Sequence, residues 1–145
     1  MLHVAAQGDQ PAVLAFFKRK GMDINKKDRK GSTPLHWAAF SGAELALSYI
    51  LSWEVDVNET DSRGFTALHL AVKSSEDLRS TRSLRHLLIK GADREIETID
   101  EQKRPIDIAR DLRTPAMKED IVKLLEDSQA LLADCLMLRP QLKKL

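Results

Sequence analysis

A 33-residue period runs through the first half of the chain. The string LHVAAQG at residues 2–8 returns as LHWAAFSG at 35–42 and as LHLAVKS at 68–74, so Leu2, Leu35 and Leu68 fall at equal intervals. A second element follows each copy: GMDIN at 21–25, EVDVN at 54–58 and GADRE at 91–95. A divergent fourth copy, RPIDIA at 104–109, carries Asp107 where the others carry His. Periods of this size belong to arrays of stacked supersecondary units, in which each unit buries its apolar face against its neighbours.

Within the second unit, Thr33 followed by Pro34 starts a helix, because Thr caps an N-terminus and Pro pre-sets φ for the first turn. Ala38 and Ala39 let that helix pack closely, and Gly42 ends it. The next stretch, AELALSYIL, predicts a second helix with Leu45, Tyr49, Ile50 and Leu51 on its apolar face. EVDVNETDSRG then predicts short alternating strands and a turn closing at Gly64.

Two helices and a hairpin per 33 residues, opened by GSTPLHWAA (31–39) and GFTALHLAV (64–72), closely resemble the ankyrin repeat. The resemblance implies an all-α repeat solenoid of about four ankyrin units, each a helix-turn-helix with a β-hairpin finger, closed by a C-terminal helix. The expected units are 1–28, 29–61, 62–100 and 101 to about 129. The third is longer: Leu68 to Asp93 spans 25 residues where Leu35 to Asp56 spans 21, an insertion expected between its helices around SSEDLRST. Met117, Ile121, Leu124, Leu125, Leu132 and Leu136 recur near helical spacing and predict a long closing helix or two in succession. The expected domain is therefore 1–129, followed by a helical, basic tail over 130–145 that includes RPQLKKL. The first unit lacks the Thr-Pro start and offers Leu2, Val4, Ala5 and Phe16 where a solenoid normally ends in a polar cap, which predicts a fragment of a longer protein.

Composition narrows the function. With 23 basic and 22 acidic residues the net charge is +1, so nothing drives the chain globally toward nucleic acid. The lone Cys135 can form no internal disulfide, and MLHVAAQGDQ has no basic n-region or extended apolar core, so a cytoplasmic location is expected.

His3, His36 and His69 sit one per unit. Stacked helices lie about 8 to 10 Å apart whereas zinc ligands need bonds near 2 Å, so the three cannot share an ion. Each imidazole is instead expected to bond backbone in its own or the adjacent finger. Cys135 has only Asp134 and Leu136 beside it and no base or positive field to make it a nucleophile. No phosphate loop, HExxH or GxSxG occurs, so no catalytic site, metal or cofactor is expected.

What remains is surface. In an ankyrin array the finger tips and the exposed side of each first helix form one concave groove. That places Arg29, Lys30, Ser32, Phe40 and Ser41 of the second unit there, with Trp37 at the edge. Ser62, Arg63, Phe65, Lys73 and Ser74 of the third unit join them. The expected protein-binding residues are Trp37, Phe40, Ser41, Arg29, Lys30, Arg63, Phe65 and Lys73, and the expected partner is a protein or extended peptide. Charge runs along the fingers, from Lys26, Lys27, Arg29 and Lys30, through Glu54, Asp56, Glu59 and Asp61, to Glu95, Glu97, Asp100 and Glu101. Arg79, Arg82 and Arg85 make an outer basic stripe, read either as solvated surface or as a site for an acidic partner or lipid headgroups.

Over residues 2 to about 110 the chain resembles the cytosolic ankyrin segment of ankyrin-containing DHHC palmitoyltransferases, notably in GSTPLHWAAFSGAELALSYILSW and ALHLAVKSSEDLRSTRSLRHLLIKGADRE. The resemblance implies a substrate-recruiting module on the cytosolic face of an endomembrane, with acyl transfer performed by a cysteine-rich domain that this sequence does not contain. A non-enzymatic ankyrin adaptor or scaffold is the alternative.

Overall fold

The computed structural model describes residues 2–126. They form four antiparallel helix pairs: α1 (Leu2–Gln7) with α2 (Pro11–Arg19), α3 (Pro34–Ser41) with α4 (Glu44–Ser52), α5 (Ala67–Leu78) with α6 (Arg82–Ile89), and α7 (Pro105–Arg110) with α8 (Pro115–Glu126). The first helices of successive pairs stack on one another through small side chains. Ala6, Ala38, Ala39, Ala67 and Ala109 are wholly buried, which lets backbones approach closely. The second helices close the core from outside with Leu14, Leu47, Ile50, Leu84, Leu87 and Ile121.

No strand occurs among the described residues; the expected hairpins are fingers built of turns. In the second pair's entry, Asp28 N–H donates to the Ser32 carbonyl at 2.9 Å, and the Asp28 carboxylate accepts from the N–H groups of Lys30 and Ser32. Asp61 does the same with Phe65 and Arg63 one unit on. One backbone bridge plus a side-chain cap closes the turn without extending a ladder. Adjacent fingers meet closely: Ser62 N–H donates to the Lys30 carbonyl at 3.0 Å, and a Cβ on Gly31, whose φ is +77°, would come within 2.8 Å of Ser62 N. Lys27 reaches Glu59 at 2.7 Å and Arg63 reaches Asp100 at 3.7 Å, so opposite charges on neighbouring fingers pair with each other.

The four-residue insertion does not make a loop. It lengthens α5 to 12 residues against the 8 of α3, carrying it to Leu78 before Arg79 turns the chain with φ 51°. The Glu76 carboxylate on this extra turn accepts the N–H of Thr114, just before α8, and ties the third pair to the fourth.

Two expectations about faces are corrected. Leu45 and Tyr49 are exposed, at 58% and 44%; α4 buries Ile50 and Leu51 as expected, but with Ala46 and Leu47 beside them. At the N-terminal end Leu2 and Ala5 are buried under α3, and only Val4 and Phe16 of the four expected residues are exposed. α8 buries Ile121, Leu124 and Leu125 as expected. Leu132, Leu136, Cys135 and the expected helical tail over 130–145 lie outside the described residues.

Candidate protein-binding groove

The first helices and the fingers line one side of the array, and two cavities lie along it. The first, of about 280 Å³, is bounded by Lys30, Trp37, Phe40 and Ser41 together with Asp28 and Leu70. Trp37 is held in place rather than merely packed. Its indole N–H donates to the Asp28 carboxylate at 2.9 Å, and the His3 ring meets it edge-on at 5.8 Å. Burial pushes the Asp28 carboxyl up, but bonds from the Ser32 N–H and the Trp37 indole outweigh this and hold it below its ordinary value. Asp28 thus closes the finger turn with one oxygen and orients the aromatic ring with the other. Phe40, one helical turn along, is 51% exposed.

The second cavity, of about 410 Å³, is lined by Arg63, Phe65 and Lys73, with Lys103, Ile108 and Asp111 opposite. Arg63 and Lys73 both lie over the Phe65 ring, at 5.1 and 5.6 Å, so their cations stack on the ring and orient it. Lys103 is held by Glu101 and Asp111, each at 2.8 Å, which raises its pKa. Of the expected binding residues, seven therefore line these two cavities. Arg29 is exposed at a finger tip and lines neither, and Ser74 is buried. The role of Asp28 was missed in the sequence, where it reads as one more charged residue in KKDRKG.

The histidines tie the units together. In His36 the Nδ1 accepts the Thr33 N–H at 3.1 Å, which leaves Nε2 protonated to donate to the Phe65 carbonyl at 2.9 Å. His69 repeats this with Thr66 and the Lys103 carbonyl, both at 3.1 Å, and His3 Nε2 reaches the Ser32 carbonyl at 2.9 Å. In the fourth unit Asp107 takes over the inner half of this arrangement by accepting the Arg104 N–H at 2.9 Å. Burial pushes the pKa of His36 and of His69 below the ordinary value, against the raising effect of their carbonyl bonds.

Stacked units at a period of 33, two of them opened by this Thr-His cap and joined by the connecting fingers, define a family, and a family model described as ankyrin repeats (3 copies) matches residues 2–100. The chain belongs to the ankyrin-repeat family. A fourth helix pair, α7 and α8, lies beyond the matched residues, with α7 packed on α5. A segment of 51 residues is 36% identical to the palmitoyltransferase akr1 of Aspergillus oryzae (strain ATCC 42149 / RIB 40). That similarity covers 35% of this chain and 7% of the relative.

An ankyrin array is a protein-interaction architecture. Among the described residues no group of three or more His, Cys, Asp or Glu side chains could hold a metal ion. No helix among them is long and apolar enough to cross a membrane. On the outer surface Arg82 pairs with Glu44 at 3.4 Å and Arg85 donates to the Thr81 hydroxyl at 3.1 Å, so two members of the basic stripe are engaged within the fold.

Proposed function

We propose that the concave groove binds an extended segment of a partner protein, centred on Trp37 and Phe40 and continuing over Phe65 between Arg63 and Lys73. The observation that carries this reading is the fixed ring of Trp37. With its N–H committed to Asp28, the indole offers a flat apolar face beside the exposed Phe40, at no further ordering cost on binding. Ser41, Lys30 and Arg29 supply polar contacts at the rim. Aromatic residues carry much of the energy of such interfaces. Trp37→Ala or Phe40→Ala is therefore expected to weaken a partner by about 2 kcal/mol or more, measured by calorimetry, with Arg82→Ala as a control that leaves binding unchanged. Full affinity in both aromatic variants would sink the groove reading.

We further propose that this ankyrin array is the cytosolic, substrate-recruiting part of a membrane protein S-palmitoyltransferase. The 36% identity to the akr1 segment supports it, together with the sequence resemblance to ankyrin-containing DHHC enzymes. The alternative, an ankyrin adaptor without an acyltransferase, rests on the ankyrin fold itself. Acyl exchange assayed on the full-length gene product separates them: transfer to a partner that fails when Trp37 is changed supports the first, and a product without acyltransferase activity supports the second.

A further inference from the structure

The outward turn of Tyr49 opens a second surface. Between α2 and α4, on the side of the array formed by the second helices, lies a cleft of about 490 Å³. Ala15, Lys18 and Arg19 line it from α2, and Ser48, Tyr49 and Trp53 from α4 and its end. Tyr49 meets Trp53 edge-on at 6.4 Å, and Lys18 Nζ lies 5.2 Å from the centre of the Trp53 ring. Phe16 and Leu45, both more than half exposed, stand on the same two helices.

The chemistry of this cleft is one-sided. No carboxylate lines it, and among the described residues neither Lys18 nor Arg19 is ion-paired. Nor does the Trp53 indole N–H or the Tyr49 hydroxyl have a hydrogen-bond acceptor among them, in contrast to the Trp37 indole, which Asp28 satisfies. Basic residues at the end of α2 complement its helix dipole, but the dipole does not account for two aromatic rings left beside them. An exposed Tyr49 and a half-buried Trp53 flanked by cations without a carboxylate partner are the composition of a binding surface rather than of solvated helix.

We propose that this cleft docks an acidic segment of a partner protein, with carboxylates against Lys18 and Arg19 and an apolar side chain against Tyr49 and Trp53. A recess between two helices admits a peptide side chain, whereas a bilayer meets a protruding face. The surface is separate from the concave groove and does not depend on it.

The test is an array of 15-residue peptides in which net charge and apolar content vary independently. It is probed with the full chain, the double variant K18E/R19E, Tyr49→Ala and Trp37→Ala, each first checked for folding by circular dichroism. The expected bound set carries net negative charge and at least one aromatic or Leu. Affinity for it falls tenfold or more in K18E/R19E and in Tyr49→Ala, stays unchanged in Trp37→Ala, and weakens with added salt. A bound set without acidic preference, or acidic binding that persists in K18E/R19E, overturns the proposal. Binding to phosphatidylserine vesicles that exceeds that to every peptide, and is lost in the same double variant, overturns it in favour of a membrane surface.

Discussion

The imidazole of His36 is shared between two repeats: Nδ1 caps its own helix through Thr33 N–H, and Nε2 donates to the Phe65 carbonyl of the next finger at 2.9 Å. Both partners are backbone groups in a buried setting, so losing the ring leaves a donor and an acceptor unpaired. His36→Leu is expected to destabilise the array by about 2 to 4 kcal/mol, one unsatisfied group costing about 1 to 3. Urea unfolding measures it. A loss under about 0.5 kcal/mol, the range of surface substitutions, would mean that the ring is not a tie between repeats.

The same geometry sets a pH dependence. Nδ1 of His36 and of His69 must be bare to accept, and burial lowers both pKa values below the ordinary 6.5. The unfolded chain therefore binds more protons than the folded one between the lowered values and 6.5, and stability rises with pH there. The contribution is fully present above 6.5 and is lost as pH falls toward the folded values. Urea midpoints are expected to be lower at pH 5 than at pH 7, with the difference shrinking in His69→Leu. A flat profile over this range contradicts the assignment.

Gly31 and Gly21 have similar positive φ, +77° and +89°, but different surroundings. An alanine at 31 meets Ser62 N of the neighbouring finger, whereas at 21 it meets nothing within 4 Å. Gly21→Ala should cost about 1 to 2 kcal/mol, that of a left-handed residue alone. Gly31→Ala should cost at least that much again through displacement of the finger contact. Equal losses in thermal unfolding would show that the fingers yield freely.

Trp37→Phe separates the ring from its anchor. The aromatic face persists while the bond to Asp28 is lost, so stability should fall by about 1 kcal/mol and partner binding should weaken less than in Trp37→Ala. Calorimetry on both variants decides. Phe as damaging as Ala would assign the binding energy to the indole N–H rather than to its face.

Metal ions and nucleotides should leave the melting temperature unchanged, since the candidate ligands are spread over separate repeats and are committed to backbone. A site filled at 100 times its dissociation constant would add about 2.7 kcal/mol, a shift of several degrees. Thermal scans with zinc, chelator and ATP check this.

The sequence alone determined the architecture. Leu2, Leu35 and Leu68 at equal spacing, the Thr caps and the paired alanines dictate stacked helix pairs, because the helix starts and small-residue contacts of one unit recur 33 residues along and the local pattern is also the global one. It also placed Trp37, Phe40, Arg63, Phe65 and Lys73 on the groove side, where the two cavities are found. Tertiary structure decided what the period leaves open. Helical spacing offered Leu45 and Tyr49 as core along with Ile50 and Leu51, yet α4 turns Ala46 and Leu47 inward in their place; which side of an apolar helix is buried depends on the neighbouring helices it meets. The insertion could have been a loop, and it became an extra turn of α5 whose Glu76 holds Thr114. The bond from Trp37 to Asp28 joins a helix to a finger turn, and only the folded chain brings that donor and acceptor to 2.9 Å.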